Sequence, residues 1–141
     1  MKRYISLICI LCFGLLIPLT ARRNDKPVDK VVEFCVHAGS NYNFQIYDTA
    51  MAAIKLSIYK YAANKKQLIW EKTIDAKQLS KFPEAAHAMK QTVVVHNVKE
   101  SSERIEASYQ VIYNSKGNIY ESYQASLLEK DKVDNEMEVA I

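Results

Sequence analysis

The feature that most constrains this chain is an alternation of apolar and polar residues that recurs along much of its length after residue 30. In three stretches the apolar positions fall at every second residue: Val32, Phe34 and Val36; Tyr42, Phe44 and Ile46; and Ile54, Leu56 and Ile58. A period of two predicts strands that are buried on one face only. Segment 48–61 stays open between strand and helix, because helical spacing also fits Met51, Ile54, Ile58 and Tyr61.

A β-hairpin is predicted from Arg104 to Leu128. A three-residue loop, Ser115-Lys116-Gly117, is expected to turn the chain, with Gly117 in the left-handed region. In that register Tyr109 lies opposite Tyr123, and the two strands share an apolar face formed by Ile105, Ala107, Tyr109, Val111, Tyr113, Ile119, Tyr123, Ala125 and Leu127. Glu121 is the one misfit, because it would face Val111. A loop of residues 114–117 would instead put the tyrosines on opposite faces.

The remaining segments complete an all-β architecture. Residues 92–98 are apolar on both faces, which suits a central strand joined to the hairpin as a three-stranded meander. Residues 68–74 and 137–141 are predicted strands, and 75–89 is a crossover with one or two helical turns that passes between two sheets. Seven or eight short strands with a short helical crossover predict an antiparallel β-sandwich of immunoglobulin-like kind.

The first 21 residues have the layout of a secretory signal peptide. Lys2 and Arg3 are followed by an uncharged apolar run, Pro18 breaks the helix, and Ala21 offers a cleavage site. An uncleaved membrane anchor needs about 20 apolar residues, more than this run supplies. A lipoprotein is the third alternative. The predicted organisation is a signal peptide (1–21), a polar tether (22–30) and a β-sandwich domain (31–141), in a secreted or periplasmic protein that contacts a membrane only if the signal is uncleaved.

Composition argues against a nucleic-acid-binding protein. The 141-residue chain carries a formal charge of +3, but after residue 21 it holds 17 basic and 16 acidic residues and is close to neutral. No stripe of Lys and Arg alternates with aromatic residues, so no nucleic-acid partner is expected. Cys9 and Cys12 lie within the signal, which leaves Cys35 alone and excludes an internal disulfide in the mature chain.

Only one group of residues offers catalytic or metal-binding chemistry. Cys35 and His37 are two residues apart and share a face of a strand, so with His87 and His96 they would form a metal site or a nucleophile with its base. The simpler interpretation is a buried thiol and an exposed histidine. The sequence contains no glycine-rich phosphate loop, no H-E-x-x-H and no G-x-S-x-G. We therefore predict no catalytic residue, no metal and no cofactor.

Tyrosines on polar strand faces are the candidate contact residues. Tyr59, Tyr61 and Tyr120 lie among lysine, serine and glutamine, where aromatic rings anchor protein partners or stack on sugars. The prediction is an exported, non-enzymatic β-sandwich that binds a protein or a glycan. The first alternative is a chaperone- or inhibitor-like module that offers a sheet edge to an extended chain. The second is a small metal- or Cys-dependent enzyme.

Overall fold

A computed structural model describes residues 26–39 and 49–141, which form two β-sheets packed face to face. The strands are β1 (Val28–His37), β2 (Met51–Ala62), β3 (Lys65–Gln78), β4 (Met89–Val98), β5 (Glu103–Ser115), β6 (Asn118–Leu127) and β7 (Asp134–Ala140). One sheet has the order β4-β1-β7 and the other β3-β2-β5-β6. The predicted all-β sandwich is thus present. The predicted signal peptide and the strand predicted at 42–47 lie outside the described residues.

The core forms between the two sheets, from the alternating residues that the sequence singled out. Side chains with no exposed surface include Val32, Phe34 and Val36 of β1 and Ile54, Leu56 and Ile58 of β2. The rings of Phe34 and Trp70 stack with their centroids 5.9 Å apart, which joins the sheets. Segment 51–62 is therefore a strand rather than a helix, since its period-two positions supply one wall of the core.

The sequence predicted that all strands pair antiparallel, but one pair of strands is parallel. β7 pairs in parallel with β1, with Asp134 beside Val31 at the start of both strands. The cause lies in the loop before β7, where the buried Lys30 side chain donates to the carbonyls of Glu129 and Lys132. Because that loop is fastened beside the start of β1, the chain enters the sheet there and runs in the same direction.

The predicted three-stranded meander is also wrong. β4 pairs with β1 in the smaller sheet, whereas β5 belongs to the larger one. β4 is an edge strand, and Val94 is 45% exposed on it. Val95 and Val98 both reach the core because the register shifts between them, where Asn97 has a φ of +57°. The bulge explains how β4 is apolar on both faces without being central.

The connection between the sheets agrees with the predicted crossover. Two single 3₁₀ turns, Leu79–Lys81 and Ala85–His87, lead from β3 in the larger sheet to β4 in the smaller one. β1 begins at Val28, so three residues of the stretch expected to be a tether belong to a strand. Among residues 26–39 and 49–141, no helix has the length and apolar character needed to cross a membrane.

Candidate functional site

The candidate site is the strand at one edge of the larger sheet, which we call the β6 edge (Asn118–Leu127). All ten of its residues are exposed, although it is paired with β5 along its whole length. The larger sheet has one strand more than the smaller sheet, and β6 extends beyond the shared core. Four of its large hydrophobic side chains are exposed: Ile119 (65%), Tyr120 (60%), Tyr123 (61%) and Leu127 (49%). Ile119, Tyr123 and Leu127 share one face of the strand, and exposed apolar groups of this kind mark interaction surfaces.

A two-residue turn sets which way each β6 side chain points. Ser115 pairs with Asn118 across Lys116-Gly117, whose φ angles of +51° and +85° are those of a type I′ hairpin turn. The turn is one residue shorter than the loop predicted from the sequence. Tyr109 consequently pairs with Gln124, not with Tyr123. This one-residue change moves every apolar side chain of β6 to the other face.

The corrected register explains the exposure of β6. Ile119, Tyr123 and Leu127 were expected to face the core, and they lie instead on the outer face of the sheet. Glu121 is no longer a misfit, because it lies on that outer face and its Oε2 accepts a hydrogen bond from Gln110 (3.0 Å). On the core side β6 is polar, and the Tyr109 hydroxyl donates to Gln124 Oε1 at 2.7 Å.

The backbone of the β6 edge turns hydrogen-bonding groups away from β5, and one of them, the Leu127 carbonyl, accepts a bond from the Ser126 hydroxyl at 3.5 Å. The Leu128 amide donates to the Ile105 carbonyl at 2.9 Å. Because hydrogen-bonded pairs alternate along an antiparallel ladder, the even-numbered residues of β6 bond to β5 and the odd-numbered residues point away from it. Among the described residues no strand pairs with that outer side. Odd positions 119–127 therefore present a row of donors and acceptors to solvent.

The β6 edge also lacks the charges that usually protect an edge strand. Glu121 is its only ionisable acidic or basic side chain, whereas β3, the opposite edge of the same sheet, carries Lys65, Lys66, Glu71, Lys72, Asp75 and Lys77. Charged residues on an edge discourage pairing with another chain. The contrast indicates that β3 is protected against association and β6 is not.

The structure does not bring the three predicted contact tyrosines together. Tyr120 belongs to the β6 edge, where it pairs with Tyr113 near the turn. Tyr59 and Tyr61 are half-buried on the outer face of β2, and Tyr61 pairs with Arg104 at the opposite end of β5. Only Tyr120 therefore lies on the candidate site.

Tyr59 and Tyr61 are held by a local charge cluster. Lys66 Nζ lies 4.1 Å from the Tyr59 ring centroid and 5.4 Å from that of Tyr61. Glu106 accepts hydrogen bonds from Lys66 and from the Tyr61 hydroxyl, each at 2.8 Å. Burial raises the pKa of Glu106, but the two hydrogen bonds together lower it by more than burial raises it, so the pKa lies below its usual value. The two rings are thereby fixed as parts of the sheet surface.

Cys35 is a buried thiol beside two carboxylates. It is 6% exposed, and its Sγ lies 3.7 Å from Glu33 Oε1. Glu33, Cys35 and Glu136 each offer one potential metal-ligand atom, all within 4.8 Å of one another. Burial, and after it the charge of Glu136, raises the pKa of Cys35 to about 11. Glu33 is already bound by Lys90 (2.6 Å), so one of the three potential ligand atoms is engaged within the protein.

The histidines do not converge on Cys35. Both ring nitrogens of His37 are occupied, Nδ1 by the Ala38 carbonyl and Nε2 by Glu138 Oε1, each at 2.9 Å. His96 Nδ1 lies 2.9 Å from Asp29 at the other end of β1, and His87 is exposed in the second 3₁₀ turn. His37 is buried, contrary to the expectation that it would be exposed. The Cys–His site that the sequence offered as an alternative is thus not assembled.

A cleft of about 1230 Å³ lies at the end of the sandwich where Lys30 is buried. Three of its carboxylates are paired with lysines of other elements: Glu100 with Lys30, Glu103 with Lys60 and Glu106 with Lys66. The ion pair with Lys30 lowers the pKa of Glu100. The first pair joins β1 to the loop before β5, the second joins β2 to β5, and the third joins β3 to β5 across β2.

Comparison with known protein families, with curated proteins and with solved structures yields no significant match. The candidate site is therefore defined by the geometry and chemistry of the β6 edge.

Proposed function

We propose that this protein is an exported, non-enzymatic β-sandwich that binds a partner protein by accepting an extended segment at the β6 edge. The observation that carries the proposal is a strand exposed at all ten residues, with outward backbone groups and one carboxylate. An added strand gains main-chain hydrogen bonds, and alternate side chains supply specificity. Export rests on the sequence of residues 1–21.

A protein segment suits the β6 edge better than a glycan does. Tyr120 and Tyr123 have opposite parity and lie on opposite faces of the strand, so they cannot form one stacking platform for a sugar ring. Ile119 and Leu127 add aliphatic surface, which favours apolar side chains of an extended chain. A thermal shift with glycans, lost in Tyr120→Ala, would support carbohydrate binding instead.

Several contacts favour a binding role over an enzymatic one. A thiol with a pKa of about 11 is protonated at neutral pH and is a poor nucleophile. His37, the nearest histidine in sequence, already contacts Glu138 and the Ala38 carbonyl. Cys35 and His37 therefore act as packed parts of the smaller sheet in our proposal.

The test uses a displayed library of random short peptides selected against the full-length chain. Selected peptides should lose binding to Tyr123→Pro, because proline removes an outward N–H while leaving the bonds to β5 intact. Ile69→Lys, on the opposite edge strand, is the matched control and should bind normally. In hydrogen exchange, bound peptide should slow the amides of Glu121 and Tyr123. Peptides that bind Tyr123→Pro as well as the parent would overturn the proposal.

The immunoglobulin-like type of the sandwich also remains our proposal. Seven described strands in sheets of three and four agree with the strand number of a constant-type immunoglobulin domain. The hairpins β2–β3 and β5–β6 are distributed differently from the ABED and CFG sheets of that fold. An experimental structure that includes residues 40–48 would decide between a variant of that topology and a separate one.

A further inference from the structure

We infer that the partner accepted by the β6 edge is a second copy of this chain, paired antiparallel about a two-fold axis at Tyr123. This inference rests on the proposed function, because it names the occupant of the same edge. The two β6 strands would join two four-stranded sheets into one continuous eight-stranded sheet, each half retaining its own three-stranded partner. A two-fold contact uses the same patch on both copies, so the patch must be self-complementary.

The outward hydrogen-bonding groups satisfy this requirement. They belong to Ile119, Glu121, Tyr123, Ala125 and Leu127, a set that is symmetric about Tyr123. In the antiparallel register centred there, Tyr123 pairs with Tyr123 of the second copy. Every other outward residue then meets an outward residue. All five therefore form hydrogen-bonded pairs across the two-fold axis. None lies opposite an even-numbered residue, whose backbone groups are already bonded to β5.

The side chains favour the same register. Ile119 lies opposite Leu127 of the second copy, and the two Tyr123 rings meet on the outer face, so apolar groups pair with apolar groups. Glu121 lies opposite Ala125, which keeps the two carboxylates apart. Sliding the strands to centre on Glu121 would place the carboxylates directly opposite each other, an unfavourable pairing. The centred register is thus the one that uses the full length without opposing charges.

The other edges of the molecule are poor alternatives for self-association. β3 carries charged residues along its length, and the outward-facing residues of β7 include Asp134, Glu136 and Glu138. β4 ends in the bulge at Asn97. These are the features by which natural proteins block pairing at edge strands. Of the four edges among the described residues, β6 is the one that lacks them.

The first experiment is sedimentation velocity of the full-length chain, processed as the host cell processes it, across a wide range of concentration. We expect a concentration-dependent dimer, because a single strand pair buries less area than a permanent interface. Tyr123→Pro removes two hydrogen bonds per dimer, one from each copy, and should raise the dissociation constant about thirtyfold. Ile69→Lys, on β3, should leave the dimer unchanged.

The second experiment fixes the register by disulfide trapping. With oxidised glutathione as oxidant, Tyr123→Cys should give a covalent dimer, because the two Cα atoms would lie about 5.5 Å apart across the axis. Ala125→Cys is the matched control on the same face. Its two copies would be separated by more than about 13 Å along the strands and should not cross-link. The parent protein, which retains its own cysteines, gives the background.

Each outcome bears on the inference in a defined way. A dimer that is weakened by Tyr123→Pro and trapped only by Tyr123→Cys supports it. A dimer that is unaffected by Tyr123→Pro, or trapped at Ala125→Cys, overturns it. A monomer at every concentration overturns it as well. If the protein is monomeric but selected peptides bind the β6 edge, the proposed function is still supported. If no peptide binds either, both the dimer and the proposed function are overturned.

Discussion

Lys30 is a charged side chain in a site where burial favours apolar residues. It is 3% exposed, and its Nζ pairs with Glu100 and donates to the carbonyls of Glu129 (3.0 Å) and Lys132 (2.6 Å). We expect Lys30→Met to lower the free energy of unfolding by about 2–4 kcal/mol, because a partly buried carboxylate and two carbonyls lose their donor. Urea denaturation measures this change.

The control for that substitution is Lys65→Met, at an exposed position in the β2–β3 hairpin. It should change the free energy of unfolding by no more than about 0.5 kcal/mol. If the two variants lose similar stability, Lys30 does not fasten the loop before β7.

Cys35 should react slowly for a free cysteine. Its pKa is raised from 9.0 to about 11 by burial, so its thiolate fraction at pH 8 is about a hundredfold lower than that of an unshifted thiol. Alkylation by iodoacetamide, followed at the Cys35 peptide by mass spectrometry, should be slower by at least about this factor in native protein than in urea. Equal rates in the two conditions would show that the thiol is neither buried nor shifted.

The same shift gives the direction of an alkaline effect on stability. Between pH 9 and 11 an unfolded chain loses the Cys35 proton while the folded chain keeps it, so folding becomes less favourable as pH rises. Cys35→Ser should flatten this part of the pH–stability curve.

At the scale of elements, the β5–β6 turn makes two predictions of opposite sign. Gly117 has a φ of +85°, and no atom lies within 4 Å of the position that a β-carbon would occupy. Gly117→Ala should therefore destabilise the protein by about 1–2 kcal/mol through backbone strain alone. Lys116→Asn should stabilise it by up to about 1 kcal/mol, since asparagine tolerates the φ of +51° at that position.

Chemical denaturation of both turn variants tests the corrected register. In the three-residue loop expected from the sequence, only Gly117 would need a positive φ, and Lys116→Asn would bring no gain. A neutral or destabilising Lys116→Asn would therefore argue for that loop.

The strands themselves could be predicted from the sequence, but their neighbours could not. Alternation placed Val32, Phe34 and Val36 in the core, and the structure buries all three completely. Alternation also suggested that Ile119 and Tyr123 face inward, because an apolar strand is ordinarily buried on its apolar side. A one-residue difference in the turn reversed that outcome. The site was missed because its apolar pattern resembles that of a core strand.

The sequence also could not predict which strands, distant along the chain, pair with each other. Nothing local in residues 92–98 distinguishes an edge strand next to β1 from a central strand next to β5, and a bulge at Asn97 disguises the period. Likewise, the parallel direction of β7 depends on Lys30, about a hundred residues earlier in the chain. Tyr120 is 60% exposed, although the corrected register places it on the core side of the sheet together with Ser122 and Gln124.

At the scale of the whole molecule, a three-stranded sheet packs on a four-stranded sheet, so one strand of the larger sheet has no strand opposite it. Three strands cover the inner face of the four-stranded sheet only in part, and β6 is exposed at every residue, whereas β3 on the other edge keeps three half-buried positions. A monomer with this architecture presents an unpaired, nearly uncharged edge, which is a liability unless a partner covers it. Both the proposed peptide binding and the inferred dimer would cover this unpaired edge.

Ion pairs occur within each of the two sheets and in the loops, and they make the fold sensitive to acid. The pKa is lowered in five carboxyl groups, namely those of Asp29, Glu33, Glu100, Glu103 and Glu106. A backbone hydrogen bond from Asn97 causes the shift at Asp29, and a bond from Lys90 causes it at Glu33. At Glu103 burial raises the pKa, but the bonds from Lys60 and the Lys99 amide more than offset it.

These shifts predict that stability falls as pH drops below the ordinary carboxyl range. An unfolded chain binds protons at its glutamates near pH 4.5, whereas the folded chain resists until lower pH, so acid favours the unfolded state. The free energy of unfolding should be nearly constant from pH 7 to about 6 and then decline toward pH 3. Glu106→Gln should lower stability at neutral pH and make the acid decline shallower. Urea denaturation across this range measures both, and stability that holds or rises on acidification would show that these pairs do not contribute to the folded state.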